Sequence, residues 1–250
     1  MATGSAELRD VYEAQYDGAG ERAARAGGWR TLCAEGKADH VAALAGSLPA
    51  PPRSIVEVGC GDGVLLAALA ARGIGERRHG FEISERAVEF ASGRPEIERV
   101  ARFDGATLPA ADGAYDLGIL SHVLEHVPDP APLLRETARV ARAVVVEVPL
   151  EANRSASRPE AQRGRDEVGH LHRFSRADVH ALAGSAGLRV VEELADPLPL
   201  PVHTYWAEGP SAQARAVLKA AIRRAVFTAA PARAERLFTV HYACLLSPPH

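Results

Sequence analysis

The 250-residue sequence predicts an α/β fold. The expected architecture is a doubly wound, seven-stranded sheet, mostly parallel, with the last strand antiparallel and helices on both faces. Three observations predict it. Between residues 54 and 194, short apolar runs alternate with helical patterns, the rhythm of a parallel sheet. One run, "AVVVEV" (143–148), is apolar on both faces, as a central parallel strand must be. A glycine-rich turn, "VEVGCGDG" (56–63), lies between the first strand and its helix, where open α/β sheets bind ligands.

Residues 6–46 read as helical, with breaks at "DGAG" (17–20) and "AGG" (26–28). The proline-rich "LPAPPR" (48–53) ends that region and leads into the first strand, "SIVEV" (54–58). The helix "GVLLAALAARG" follows, closed by Gly73. "RHGFEI" is the second strand, and Ser84 caps the helix "ERAVEFASG". "ERVARF" and "YDLGIL" are the third and fourth strands, "APLLRETARVA" a helix and "AVVVEV" the fifth strand. "SRADVHALAGSAG" is a capped helix and "LRVVEEL" the sixth strand. The chain ends on "RLFTVHYACLL", a strand whose place after a long insertion suits antiparallel entry. The expected organisation is a helical cap at 1–50 and one domain at 51–250. Two segments break its rhythm on the substrate side, 149–174 and 195–236.

Composition narrows the function. A formal charge of −3, with both signs spread throughout, lacks the basic footprint of a nucleic-acid binder. The longest apolar run, 64–71, is too short to span a bilayer. The opening "MATGSAELRD" lacks the basic and apolar parts of a signal peptide. Cys33, Cys60 and Cys244 are scattered, as reduced thiols in the cytoplasm would be. Expected partners are a small-molecule substrate, with no nucleic acid and no membrane. Monomer and homodimer both stay open.

A dinucleotide fingerprint needs Gly-x-Gly-x-x-Gly. Gly59 and Gly61 fit, but position 64 is Val, which disfavours an NAD-linked oxidoreductase. The run Glu57-Val-Gly59-Cys-Gly61-Asp-Gly63 instead resembles the first motif of class I S-adenosylmethionine-dependent methyltransferases. Later landmarks fall in register: "GFEIS" with Glu82, "RFDGATLP" with Asp104, "YDLGILSHVLEHVPDP" and "AVVVEVP". The fourth-strand motif is similar to that of the small-molecule branch, of the type 11/23 methyltransferase domains. The resemblance covers about residues 50–194 and the last strand, and implies a Rossmann-like sheet and S-adenosylmethionine as cofactor, leaving S-adenosylhomocysteine.

The resemblance implies a role for each motif. Gly59, Cys60, Gly61 and Gly63 form the loop around the amino-acid part of the cofactor. Glu57 orders that loop and faces the ammonium. Glu82 accepts from the ribose hydroxyls, a use of an acid shared with dinucleotide folds. Asp104 accepts from the adenine amino group, Gly105 and Ala106 pair with ring nitrogens through backbone, and Ile83 covers one adenine face. Ser121 and His122 lie near the methionine end. Tyr12 and Tyr16, four apart on a helix, are candidates to cap the cofactor. Cys60 reads as a small filler rather than a nucleophile.

Methyl transfer asks mainly for positioning and exclusion of water, with a base where the nucleophile must lose a proton. Candidate bases are His170 and His172 in "GHLHRFS", and His126. Arg154, Arg158, Arg163, Arg165 and Arg173 are candidates to grip a carboxylate or phosphate. The same stretch carries Glu151, Glu160, Asp166 and Glu167, so most of these arginines read as a solvated loop. His203, Tyr205 and Trp206 in "DPLPLPVHTYW" either wall an apolar pocket or pack under the helix that follows. Trp29 and Lys37 carry no assignment.

"SHVLEHVPDP" (121–130) contains His-x-x-Glu-His, a spacing that holds metal on a helix. Here it follows a strand and is cut short by Pro128 and Pro130, with no third ligand beside it in sequence. His170 or His172 could supply one only after folding. The expectation is therefore no metal. Asp129 and Pro130 start the next helix.

The expected function is methyl transfer from S-adenosylmethionine to an oxygen or nitrogen of a small molecule. The rival readings are a binding protein of the same fold and an enzyme using the cofactor for other chemistry. The missing Asn/Asp-Pro-Pro-Tyr/Phe motif after the fourth strand disfavours DNA and glutamine methylation.

Overall fold

The computed structural model describes Glu13, Tyr16 and residues 20–249, with nothing of the side chains of Glu21 and Arg22. The elements in chain order are α1 (Glu21–Ala45), β1 (Ser54–Val58), α2 (Val64–Ala71), β2 (Arg77–Glu82), α3 (Glu85–Ser92), β3 (Arg99–Arg102) and β4 (Tyr115–Ser121). A 3-10 turn, Leu124–His126, follows β4. Then come α4 (Pro130–Val140), β5 (Ala141–Leu150), α5 (Pro159–Val168), α6 (Arg176–Ser185), β6 (Arg189–Asp196), α7 (Leu200–Thr204), α8 (Pro210–Ala229), α9 (Pro231–Leu237) and β7 (Val240–Ser247). The sheet order is β3-β2-β1-β4-β5-β7-β6, and β7 runs antiparallel to both of its neighbours.

The alternation along the central strands builds two cores. Val144, Val146 and Val148 of β5 join Tyr242, Cys244 and Leu246 of β7 under α4 and α6. Ala143 and Val145 of β5 join Ala243 and Leu245 of β7 under α1 and α2. Successive residues point to opposite faces, so a strand buried on both faces must be apolar throughout. On the α1 face the apolar series ends in polar residues at the strand ends: Glu57 after Ile55, Ser121 after Ile119, and Glu147 after Val145. These strand ends position the site.

The caps follow from local chemistry. The Ser84 hydroxyl accepts the Ala87 amide at the start of α3. Asp129 accepts the Ala131 amide at the start of α4, with Pro130 in the first turn. Ser175 and Asp178 form a reciprocal capping box on α6.

The expected break at residues 26–28 does not occur: α1 runs unbroken through Gly27 and Gly28. A Cβ at Gly28 would stand 2.5 Å from the Tyr205 hydroxyl. That hydroxyl donates to the Arg25 carbonyl at 2.7 Å. The glycine is thus a notch for an aromatic from a distant segment, and packing overrides its low helix propensity. No helix among the described residues is long and apolar enough to cross a membrane.

Candidate active site

Gly59, Gly61 and Gly63 take φ values of 75°, 54° and 75°. Side chains strain in that left-handed region, and glycine does not. Space is also short: a Cβ would lie 2.6 Å from the Val123 Cγ2 at Gly59 and 2.5 Å from the Ile97 Cδ1 at Gly63. The loop hangs on β2. Gly59 and Cys60 donate to the Phe81 carbonyl, and Gly61 donates to the Glu82 Oε2 at 2.8 Å. The other Glu82 oxygen accepts the Ile83 and Ser84 amides at 2.7 and 3.0 Å. Burial pushes the Glu82 carboxyl up, and these three bonds oppose it.

Glu57, expected to order the loop directly or through water, makes no direct hydrogen bond to it among the described residues. Glu82 does, because the Gly61 amide faces the end of β2. Glu57 is buried, and its Oε2 has no hydrogen-bond partner among the described residues. Burial drives its carboxyl well above the usual range, against the field of Lys37. Cys60 is packed against Gly80 and Leu66, and burial pushes its thiol well up.

At the end of β3, Asp104 Oδ1 accepts the Ala106 and Thr107 amides at 2.9 and 2.7 Å, which lowers its pKa. The Ala106 amide, expected to face a ring nitrogen, is therefore engaged within the chain. Ile83 Cγ2 lies 3.8 Å from where a Cβ of Gly105 would stand, so the two expected neighbours do adjoin.

The amino-terminal side closes over the loop. Glu13 accepts from the Ser84 hydroxyl and the Glu85 amide. The Tyr16 ring lies 5.0 Å below the Arg30 guanidinium, and Arg30 bonds Asp62 at 2.8 Å. A Cβ at Gly61 would stand 2.6 Å from the Tyr16 hydroxyl. Tyr12 lies outside the described residues.

Beyond β1 the polar strand ends meet α1. Glu147, fully buried, receives His40 Nδ1 at 3.1 Å, His241 Nδ1 at 3.4 Å and the Ser121 hydroxyl at 3.2 Å. Burial alone would raise its carboxyl, but these partners hold it well below the usual range. Burial would likewise depress His40, yet Asp196 and Glu147 outweigh it and hold its pKa at about 9. His122 sits in the left-handed region at φ 57°. Its imidazole approaches His241 at 3.3 Å and Glu125 Oε1 at 3.2 Å. Burial, followed by Lys37 and His241, drives the His122 pKa well down.

The next turn carries a second group. Glu125 is fully buried, and neither of its carboxylate oxygens has a hydrogen-bond partner among the described residues. His126 Nδ1 stands 3.1 Å from the Gly169 carbonyl, so that nitrogen carries the proton and donates. His170 Nδ1 meets Glu151 Oε2 at 2.8 Å. The His126 and His170 rings cross edge-to-face, with centroids 4.7 Å apart. His172 Nε2 is committed to the Val127 carbonyl at 2.8 Å. That bond ties two loops together and leaves the lone pair of His172 on Nδ1.

Comparison with known proteins fits this arrangement. A family model described as a methyltransferase domain matches residues 29–193. The chain belongs to the methyltransferase domain family. The chain is 39% identical over 90 residues to an uncharacterized methyltransferase of Mycobacterium sp. strain JLS, covering 36% of this chain and 35% of that protein. It is 35% identical over 101 residues to a ubiquinone biosynthesis O-methyltransferase of Thiobacillus denitrificans, covering 38% and 42%. The matched stretch thus spans well under half of these curated relatives' length. Geranyl diphosphate C-methyltransferase from Streptomyces coelicolor shares the fold at TM-score 0.62 and 15% identity, covering 86% of this chain and 77% of that one.

S-adenosylmethionine is the cofactor of this family, and two features of this chain fit it. The glycine loop lies at the carboxyl end of β1, where open α/β sheets bind ligands, and the buried, unpartnered Glu57 oxygen suits an ammonium.

An open cavity of about 760 Å³ lies beside the segment after β5. The 149–174 segment and α8 face each other across it, and Leu237 and Phe238 complete the lining. Arg154, Arg158, Arg215, Lys219 and Arg223 line it together with Leu218 and Ile222. The buried Arg223 Nε has no partner among the described residues, and burial, then Arg158, lowers the guanidinium pKa. Of the five arginines named from sequence, Arg154 and Arg158 reach the cavity. Arg165 is buried and donates to the Ala156 carbonyl. Arg163 and Arg173 are exposed. Buried Asn153 fixes this wall, bonding the Leu150 carbonyl, the Thr239 hydroxyl and the Ala156 amide.

The aromatic segment at 203–206 does not line that cavity. Tyr205 and Trp206 pack on Trp29 of α1, with centroids 5.3 and 5.8 Å away, and Trp206 is 47% exposed. His203 Nε2 bonds the Pro197 carbonyl. Sequence reasoning passed over Lys37, whose charge acts on Glu57, His122 and Glu125 together. A signal existed: Lys37 and Lys219 are the only lysines in an arginine-rich chain, and Lys219 lines the cavity.

Proposed function

We propose that the methyltransferase moves a methyl group from S-adenosylmethionine to an oxygen or nitrogen of a small molecule with an anionic end and an apolar body. The cavity is the observation that carries this reading. Its volume suits a drug-sized ligand. Five cations outnumber two acids, Glu151 and Glu160, beside aliphatic and aromatic surface, which favours a carboxylate or phosphate joined to a hydrophobic body. Glu151 lines the cavity and also bonds His170, so the cavity adjoins the strand-end side chains.

Gly59, Gly61 and Gly63 would hold the amino-acid part of the cofactor by backbone, with Glu57 facing its ammonium. Glu82 would take a ribose hydroxyl, using the acceptor position its three backbone bonds leave, since a carboxylate offers about four. Asp104, Gly105 and Ile83 would flank the adenine, and Ser121 and His122 the methionine end. Bound there, S-adenosylmethionine supplies an electrophilic methyl group. The chain's part is to orient the acceptor and exclude water.

Calorimetry with S-adenosylmethionine is the first test, with micromolar-range saturable binding expected. A screen of anionic amphiphilic acceptors, read by release of S-adenosylhomocysteine, is the second. Absence of cofactor binding would sink the proposal. Turnover confined to uncharged acceptors would remove the assignment of the cavity.

A further inference from the structure

We infer that Glu125, His126 and His170 form a binding site for a divalent first-row transition-metal ion, facing the acceptor. This departs from the sequence expectation of no metal, which rested on the lack of a third ligand. Folding supplies it. One ligand atom from each of the three residues lies within 4.8 Å of the other two. Ligands about 2.1 Å from a shared ion stand roughly 3 to 3.5 Å apart, so small side-chain rotations close the set.

Three independent features make this more than proximity. Glu125 is fully buried with both carboxylate oxygens lacking a hydrogen-bond donor. A buried carboxylate left so is costly unless something else takes its charge. The His122 Nδ1 that stands 3.2 Å from Oε1 belongs to an imidazole that burial keeps neutral, so it does not balance that charge. Second, both histidines are held in one tautomer. A carbonyl cannot donate, so His126 Nδ1 gives its proton to Gly169 and leaves the lone pair on Nε2. His170 Nδ1 gives its proton to Glu151 with the same result. Metal-bound histidines are oriented by this kind of bond from the other ring nitrogen to a carboxylate or carbonyl. Third, the Glu125 carbonyl accepts the Leu171 and His172 amides at 2.7 and 3.1 Å, which fixes His170 relative to Glu125 through the backbone.

The donor set selects the ion. Two imidazoles and one carboxylate suit zinc, manganese, iron or cobalt rather than all-oxygen magnesium or calcium, and leave coordination positions open. The neighbouring His122, Glu147 and His241 are also close. Glu147 there already receives His40, His241 and Ser121, so that cluster is satisfied without an ion. The open positions of the first site would take oxygens of the acceptor. This role toward the acceptor rests on the methyl-transfer reading and narrows its nucleophile from oxygen or nitrogen to oxygen. It also replaces the role of His126 and His170 as bases.

The test uses the full chain, stripped with a chelator and dialysed. Zinc chloride is titrated by calorimetry, and cobalt(II) by its visible ligand-field absorption. One ion per chain is expected. Glu125→Gln and His170→Ala should each weaken zinc binding at least tenfold, and Glu151→Gln by about 10- to 100-fold, as for other groups behind a ligand. His241→Ala should leave it unchanged. Retained binding of S-adenosylmethionine in each variant shows that it is folded. Lack of saturable metal binding by the parent chain would overturn the site. So would parent-like affinity in both Glu125→Gln and His170→Ala, or a loss seen only in His241→Ala. Metal binding without cofactor binding would keep the site and reject the methyl-transfer reading.

Discussion

The Glu82 carboxylate reaches back from the end of β2 to accept the Gly61 amide at 2.8 Å, tying the glycine loop to the neighbouring strand. Removing that charge should loosen the loop. A hydrogen bond to an ionised group contributes about 1.5–3 kcal/mol, so Glu82→Gln should weaken S-adenosylmethionine roughly ten- to a hundredfold. Calorimetry measures this directly. An unchanged affinity would mean the loop is held by the Phe81 carbonyl alone.

Gly28 and Tyr205 are coupled. Gly28→Ala gains about 1 kcal/mol of helix propensity, but its Cβ would meet the Tyr205 hydroxyl at 2.5 Å. In the parent background it should lower stability by about 1 kcal/mol as the bond to Arg25 is lost. With Tyr205→Phe already in place it should raise stability instead. Urea denaturation of the four-member cycle reads the sign change.

His40 links stability to pH. Its folded pKa of about 9 lies above its ordinary 6.5. The folded state therefore holds the proton more tightly. The resulting stabilisation is fully present below about pH 6.5 and disappears as pH rises through about 9. Its size is on the order of 3 kcal/mol. Melting temperature from pH 6 to 10 should fall through that window in the parent and flatten in His40→Gln. A parent curve flat across the window would refute the assignment.

Arg223 trades stability for binding. Its buried Nε lacks a partner, and its guanidinium stacks 5.3 Å from the Phe238 ring. Arg223→Met keeps the packing and removes the charge, so the melting temperature should rise by roughly 2–4 °C. The KM for an anionic acceptor should rise with it, while kcat changes little. A drop in melting temperature would show that the stacking matters more than the desolvation.

Much of the sheet is readable in sequence because its signals are local. β-branched runs, the Ser84 and Ser175 caps and the Asp129-Pro130 helix start each declare themselves within a few residues. The antiparallel β7 is legible from the length of the insertion before it. What stayed hidden depends on residues far apart. Gly28 reads as a helix breaker until Tyr205, 177 positions on, fills its notch. His126 and His170 meet only because the segment after β5 folds back onto the turn after β4. The roles of Glu57 and Glu82 divide according to which carboxylate the Gly61 amide faces, a matter of strand-end geometry that composition does not encode.

The two bonds from Leu171 and His172 to the Glu125 carbonyl, with His172 on Val127, rivet the histidine-bearing strip to the turn after β4. Lifting that strip alone would break three hydrogen bonds at once. On the proposed function, acceptor and product would pass instead through the mouth framed by α8, whose Leu218 and Ile222 are more than half exposed. The mouth and the histidine-bearing strip sit on different walls, so the mouth can be reshaped through α8 without disturbing those histidines.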